Sequence, residues 1–165
     1  MKQAFQNVCL REFMGLIQSI LIKLGLADLN AGREPLDVFV LDDDERRHRY
    51  FRDRFKGDKV EYAMTVEEAK DLLKEGPYDV IFLDHDLLPH HYESNDHEDF
   101  HRTGYAVAEW LAENVDLNRA SMIIVHTRNA DGGLRMVEKL RESGRQVEYV
   151  PFPLLEGKIR HYWGK

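Results

Sequence analysis

From residue 37 onward the chain alternates between short apolar runs and longer amphipathic stretches. DVFVL (37–41), YDVIFL (78–83) and SMIIVH (121–126) are compact apolar segments of a kind that suits strands covered on both faces. KVEYA (59–63) and QVEYV (146–150) read as two weaker strands. Between these runs the apolar spacing changes to that of a helix. Asp44 to Phe55 places His48, Phe51 and Phe55 on one face, and Gly104 to Asn114 turns Val107, Trp110 and Leu111 inward. In TVEEAKDLLKEG, Thr65 and Glu68 form a capping box and Gly76-Pro77 stops the helix. DGGLRMVEKLRESG predicts a further helix ending at Gly144.

Five strands alternating with helices require right-handed crossovers, hence a parallel sheet with helices on both faces. The expected fold is a three-layer α/β sandwich of flavodoxin-like type, with strand order 2-1-3-4-5. In that order the crevice opens at the carboxyl ends of the first and third strands, where their connections diverge.

The N-terminal stretch has a different character. Leu10 to Leu26 is apolar but interrupted by Arg11, Glu12, Gln18, Ser19 and Lys23, so it predicts an amphipathic helix and no membrane span. Leu10, Met14, Ile17, Leu21 and Leu24 form its stripe, which packs either on the chain's own α/β domain or on a second copy as a homodimer contact. A connector rich in turn residues (ADLNAGREPLD) follows, dividing the chain into a helix and connector at 1–35 and an α/β domain at 36–165. The net charge of −7 argues against a surface that coats nucleic acid and leaves room for a local arginine-lined pocket. Cys9 is the single cysteine, which excludes an internal disulfide framework and fits a cytoplasmic protein.

The candidate chemistry collects where the crevice should open. Asp42, Asp43 and Asp44 follow the first strand, Asp84, His85 and Asp86 the third, and His126, Thr127, Arg128 and Asn129 the fourth. Carboxylates crowded at neighbouring strand ends raise one another's pKa unless a cation holds them. Asp42, Asp43, Asp84 and Asp86 are therefore the expected metal ligands, with one of Asp43 and Asp44 also capping the following helix. Oxygen ligands favour Mg²⁺, and imidazoles would shift the preference toward Mn²⁺ or Zn²⁺. Asp84, His85 and His126 are the candidate catalytic groups, the histidines either as ligands or as proton carriers. Thr127, Arg128 and Asn129 are candidate phosphate contacts, with Arg46 and Arg47 close enough to join them. Between Asp86 and Gly104 runs a long segment with His90, His91, His97 and His101 among acids, expected as a polar lid.

With these motifs in place, the segment from about Leu36 to Pro153 resembles a response-regulator receiver domain. The resemblance matches the acidic pair to Asp42 and Asp43, the phosphoacceptor to Asp84 and the switch hydroxyl to Thr127. It departs where a receiver carries a lysine before proline to hold the phosphoryl group, because this chain has Phe152-Pro153. Lys158 is the nearest later lysine that could substitute for it. Typical receivers also lack His85 and His126. The combination LDDD, LDHDL, GY..A.WL and HTRN is more similar to the cyclic-phosphate processing receiver domains, whose signature is LDD, LDHDL and His-Ser-x-Asn. Here Thr127 replaces the serine, and Ala130 stands where proline is frequent.

That resemblance implies a metal-dependent phosphoesterase acting on a phosphate-containing small molecule or on an RNA or nucleotide end, including cyclic phosphates. Two readings compete with it: a two-component receiver phosphorylated on Asp84, and a non-catalytic binding or dimerisation module.

Overall fold

In the computed structural model the described residues form five strands: β1 (Asp37–Leu41), β2 (Lys59–Ala63), β3 (Val80–Leu83), β4 (Met122–Val125) and β5 (Val147–Tyr149). All pair in parallel, in the expected order β2-β1-β3-β4-β5. Helices α1 (Glu45–Arg54), α2 (Val66–Glu75), α3 (Gly104–Glu113) and α4 (Ala130–Glu142) follow the first four strands, and α5 (Leu155–Trp163) follows the fifth. The structure describes residues 34–87 and 103–164. The N-terminal amphipathic helix, its dimer contact and the histidine-rich lid lie outside the described residues.

The period of two along each strand divides the core into two layers. Phe39, Leu41, Ile81, Leu83, Ile123, Val125 and Val147 face one way, against Leu73 of α2, Val107 and Leu111 of α3, and Met136 and Leu140 of α4. Val38, Val40, Val80, Phe82 and Ile124 face the other way, against Phe51 and Phe55 of α1 and Leu155 and Ile159 of α5. The central strands are buried on both sides, which is why they read as continuous apolar runs. Each wholly enclosed Phe, Leu or Ile contributes about 1.5–3 kcal/mol from burial alone.

Helix α5 was not anticipated, although its sequence carries a signal. Leu155 and Ile159 stand four residues apart and are buried, and Trp163 one turn later packs on Phe55 and Phe82 at 6.0 Å each. Gly164 ends the helix in the left-handed region at φ 69°.

The polar joints are also specific. Thr65 caps α2 by accepting from Glu68 N, while Glu68 Oε2 accepts from the backbone N–H of Met64, one residue before the cap. Arg145 is buried and donates to the carbonyls of Leu111, Asn114, Leu117 and Asn118 at 2.8–3.1 Å. The end of α3 and the loop after it are thereby closed by one guanidinium, a cation suited to the negative end of a helix.

Asp44 caps α1 by accepting from Arg46 N at 2.8 Å, and its carboxylate also pairs with the Arg46 side chain. Those bonds, the Arg46 side chain first, lower its pKa from the usual carboxylate range to about 2. A depressed folded-state pKa contributes stability above the unfolded value and loses it as pH falls through the folded one. Compared with Asp44→Asn, which keeps a capping oxygen, the native chain should hold a constant advantage above about pH 5. That advantage should shrink on acidification and be gone below about 2. Urea melts of both proteins across this range check it, and a gap that does not change with pH refutes it. Asp44→Ala should cost about 1 kcal/mol at neutral pH.

Candidate functional site at the carboxyl edge of the sheet

In the pairing of β1, β3 and β4, Leu41 stands beside Leu83, and Leu83 beside Val125. The next residues are Asp42, Asp84 and His126. The ladder continues one step past the strand ends, with Asp84 N donating to Leu41 O and His126 N to Leu83 O, both at 2.9 Å. Leu41, Leu83 and Val125 point toward the α2–α4 layer, so alternation turns the three following side chains toward α1 and α5. Neighbouring strands lie about 4.8 Å apart. Accordingly, one potential ligand atom from each of Asp42, Asp84 and His126 lies within 4.8 Å of the other two. All three residues are enclosed, at 0%, 1% and 0% exposure.

The enclosed charge is met from α1. Arg47, in the first turn of that helix, puts Nε 3.0 Å from Asp42 Oδ1 and Nη2 2.8 Å from Asp84 Oδ2. Asp43 Oδ1 lies 3.5 Å from the same Nη2. Burial, followed by the charges of Asp42 and Asp84, raises the Asp43 pKa against the pull of Arg47. For Arg47 burial acts downward, but the surrounding carboxylates, Asp84 foremost, outweigh it and leave its pKa raised. The backbone adds donors: Asp42 Oδ1, which also faces Arg47, accepts from Asp44 N, and Asp84 Oδ1 accepts from His85 N, both at 2.8 Å.

His126 lies under the notch. Its Nε2 is 2.9 Å from Asp42 Oδ2, and its ring is surrounded by Phe51, Phe82 and Phe152 at 5.4–6.3 Å between centroids. Its Nδ1 makes no hydrogen bond among the described residues. His48 braces the same residue from α1, with Nε2 2.6 Å from Asp42 O. His85 turns elsewhere, toward Asp86, with Nδ1 2.6 Å from Asp86 Oδ1. Asn129, the cap of α4, donates from Nδ2 to the same carboxylate oxygen at 3.3 Å and accepts from Gly132 N at 2.9 Å. The His85 ring lies so close to Gly132 that a Cβ there would meet it at 2.5 Å.

The residues singled out in the sequence therefore separate into groups. Asp42, Asp84 and His126 share one cluster, with Asp43 at its rim. Asp86, His85 and Asn129 form a second cluster beside it. The Thr127 side chain is buried, with its hydroxyl accepting from Asn129 N at 3.1 Å. Arg128 is exposed and faces a cleft of about 420 Å³ that it lines with Asp44, Arg46, Arg47, Tyr50 and Phe152. Lys158 does not reach this edge: it pairs with Glu148 at 2.7 Å and lines a different pocket. Sequence reasoning placed Arg47 near the crevice, but it missed that this residue is the cation between the two strand-end carboxylates.

A family model of the cyclic-phosphate processing receiver domain matches residues 37–142. The chain belongs to that family. No functionally curated protein matches it in sequence. Among solved structures, this receiver domain is similar to chemotaxis protein CheY4 of Vibrio cholerae, with a TM-score of 0.56, 15% identity, and coverage of 78% of this chain and 98% of that one. It is also similar to the receiver domain of the sensor histidine kinase PA1611 of Pseudomonas aeruginosa, solved with a magnesium ion in its active-site cleft. That match has a TM-score of 0.54 and 19% identity, and covers 80% of this chain and all of that one. Against the response regulator DrrB of Thermotoga maritima the TM-score is 0.52 at 20% identity. The match covers 79% of this chain and 54% of DrrB, so this receiver domain spans about half of that protein. These likenesses show the fold. No helix among the described residues is long and apolar enough to cross a membrane.

The donor set of this receiver domain fits a small divalent cation. Two enclosed carboxylates converge, a third stands at the rim, and Asp84 Oδ2, although ion-paired, makes no hydrogen bond among the described residues. Hard oxygen donors of this kind suit Mg²⁺ or Mn²⁺.

The geometry also depends on Gly104. A Cβ at this position would lie 1.8 Å from the carbonyl oxygen of Asp84, and Gly104 N donates to His85 O at 2.8 Å. Gly104→Ala should destabilise the chain by about 3 kcal/mol or more, since the clash is with backbone that cannot rotate away. Thermal and urea unfolding measure the loss, and a variant of native stability refutes this account of the β3–α3 joint.

Proposed function

We propose that this receiver domain processes phosphoesters or cyclic phosphates with the help of a divalent cation. The supporting observation is the convergence of Asp42, Asp84 and His126 at one register step beside an arginine-lined cleft. Asp42, Asp84 and Asp43 would hold the ion, with Mg²⁺ first in preference and Mn²⁺ or Zn²⁺ as alternatives. When bound, it supplies charge neutralisation at phosphoryl oxygens and activation of water.

Side chains of the protein would do the rest. Arg128 lines the cleft and would offer its guanidinium to a phosphate, and Arg46 would join it by giving up its pairing with Asp44. Asp86 accepts from His85 Nδ1, which fixes the tautomer and leaves Nε2 as the basic nitrogen for moving a proton. Asn129 braces that pair by donating to Asp86. His126, enclosed and bound to Asp42, orients the carboxylate that holds the cation. Substrates of this chemistry are phosphate-bearing small molecules and nucleotide or RNA ends.

One observation favours the phosphoacceptor reading. Arg47 places a cation on Asp84, much as a receiver's lysine would after the fifth strand. Against it, Phe152 stands where a receiver has its lysine, and neither His85 nor His126 has a part in phosphoacceptance.

A panel of 2′,3′-cyclic nucleotides and phosphodiesters, assayed with Mg²⁺, Mn²⁺ or Zn²⁺, tests the proposal. Turnover should vanish on chelation and in Asp84→Asn, and should fall about 10²–10⁴-fold in His85→Gln. A labile adduct on Asp84 after incubation with acetyl phosphate, without turnover of any ester, would replace this reading with the signalling one.

A further inference from the structure

We propose that Arg47 is an exchangeable counter-ion: a divalent cation takes its place between Asp42 and Asp84, and the released guanidinium then joins the anion-binding wall of the adjacent cleft. This deepens the metal-dependent reading above and rests on it.

The present contacts of Arg47 are charged but poorly directed. Nε lies 3.0 Å from Asp42 Oδ1 and Nη2 lies 2.8 Å from Asp84 Oδ2. Yet Arg47 Nε and Asp84 Oδ2 are both buried without a hydrogen bond among the described residues. A planar fork gains its strength from aligned N–H groups. A spherical ion has no such requirement and makes full use of oxygens held at ligand distance from one another. The charge balance agrees in direction: the carboxylates of Asp42, Asp43 and Asp84 all lie close to this one guanidinium, and exchanging its single positive charge for the double charge of an ion brings the notch nearer to neutrality.

The exit for Arg47 is already built. The residue sits at the boundary of the notch and itself lines the neighbouring cleft with Arg46, Arg128, Tyr50 and Phe152. Its Cζ is 5.7 Å from the centre of the Phe152 ring, a surface on which a freed guanidinium can stack. The carboxylates, by contrast, are fixed by strand pairing, by backbone donors to Asp42 Oδ1 and Asp84 Oδ1, and by His126 against Asp42 Oδ2. Only a side-chain rotation is needed. Because Arg47 cannot occupy both places, cation binding in the notch and anion binding in the cleft must favour each other, and by the same factor in each direction.

The test uses the full chain. Mn²⁺ affinity is measured by the electron paramagnetic resonance of the free ion, and affinity for inorganic phosphate by calorimetry with and without Mn²⁺. Arg47→Gln should bind Mn²⁺ about tenfold more tightly than the native chain, and Mn²⁺ should raise native phosphate affinity at least about fivefold, a coupling that Arg47→Gln loses. Arg47→Lys, which keeps the charge, guards against a folding artefact and should stay near native Mn²⁺ affinity. In the native protein, the ¹⁵Nε–H resonance of Arg47 should move on saturation with diamagnetic Mg²⁺. If the native chain binds the ions but Arg47→Gln binds no more tightly, or the resonance stays in place, the exchange is wrong and the metal site stands. If neither protein binds a divalent ion, the metal reading fails and the exchange with it.

Discussion

Parallel strands paired without a bulge deliver residues at the same step to the same height and the same face, and the rest of this molecule follows from that constraint. Leu41, Leu83 and Val125 stand side by side, so Asp42, Asp84 and His126 emerge as a row. They emerge on the side where α1 supplies Arg47 and where Phe51, Phe82 and Phe152 exclude water from the imidazole. A slip of one residue in either pairing would send one member of the row into the opposite apolar layer. The two-sided burial of the central strands prevents such a slip, so the core that stabilises the sheet also sets the geometry of the notch.

Enclosing carboxylates is costly, and the structure offsets that cost in layers. Arg47 contributes opposite charge, the N–H groups of Asp44 and His85 each satisfy one oxygen, and His126 meets the second oxygen of Asp42. The neighbouring pair of His85 and Asp86 is built by the same logic at smaller scale, with Asn129 as the brace. Two polar clusters thus share one edge, one enclosed and charge-dense, the other partly open.

Much of this was legible in the sequence because it is governed by local pattern. The strand order, the capping of α2 by Thr65 and of α1 by one of Asp43 and Asp44, and the convergence of Asp42 with Asp84 follow from apolar periodicity and from where each run ends. What was not legible depends on side-chain reach. Arg47 is one of five arginines in α1 and its neighbouring residues, and nothing in their spacing marks it as the one that turns inward. Arg145 follows a glycine in what looks like a solvated loop, yet it closes four carbonyls that belong to residues 27–34 positions earlier. The Thr127 hydroxyl accepts from a backbone N–H two residues on, a local contact that sequence alone does not resolve. Helix α5 was not anticipated; Pro151 and Pro153 follow the fifth strand and introduce a 3₁₀ turn that leads into it.

The bond from Gly104 N to His85 O has one further result. It brings the residues that bracket positions 86–103 to a single point against the third strand, so the chain departs from and returns to nearly the same place. The entropy of closing such an excursion grows only slowly with its length and is confined to the excursion itself. A change in the length of that stretch is therefore absorbed within the excursion and passes no strain to the sheet.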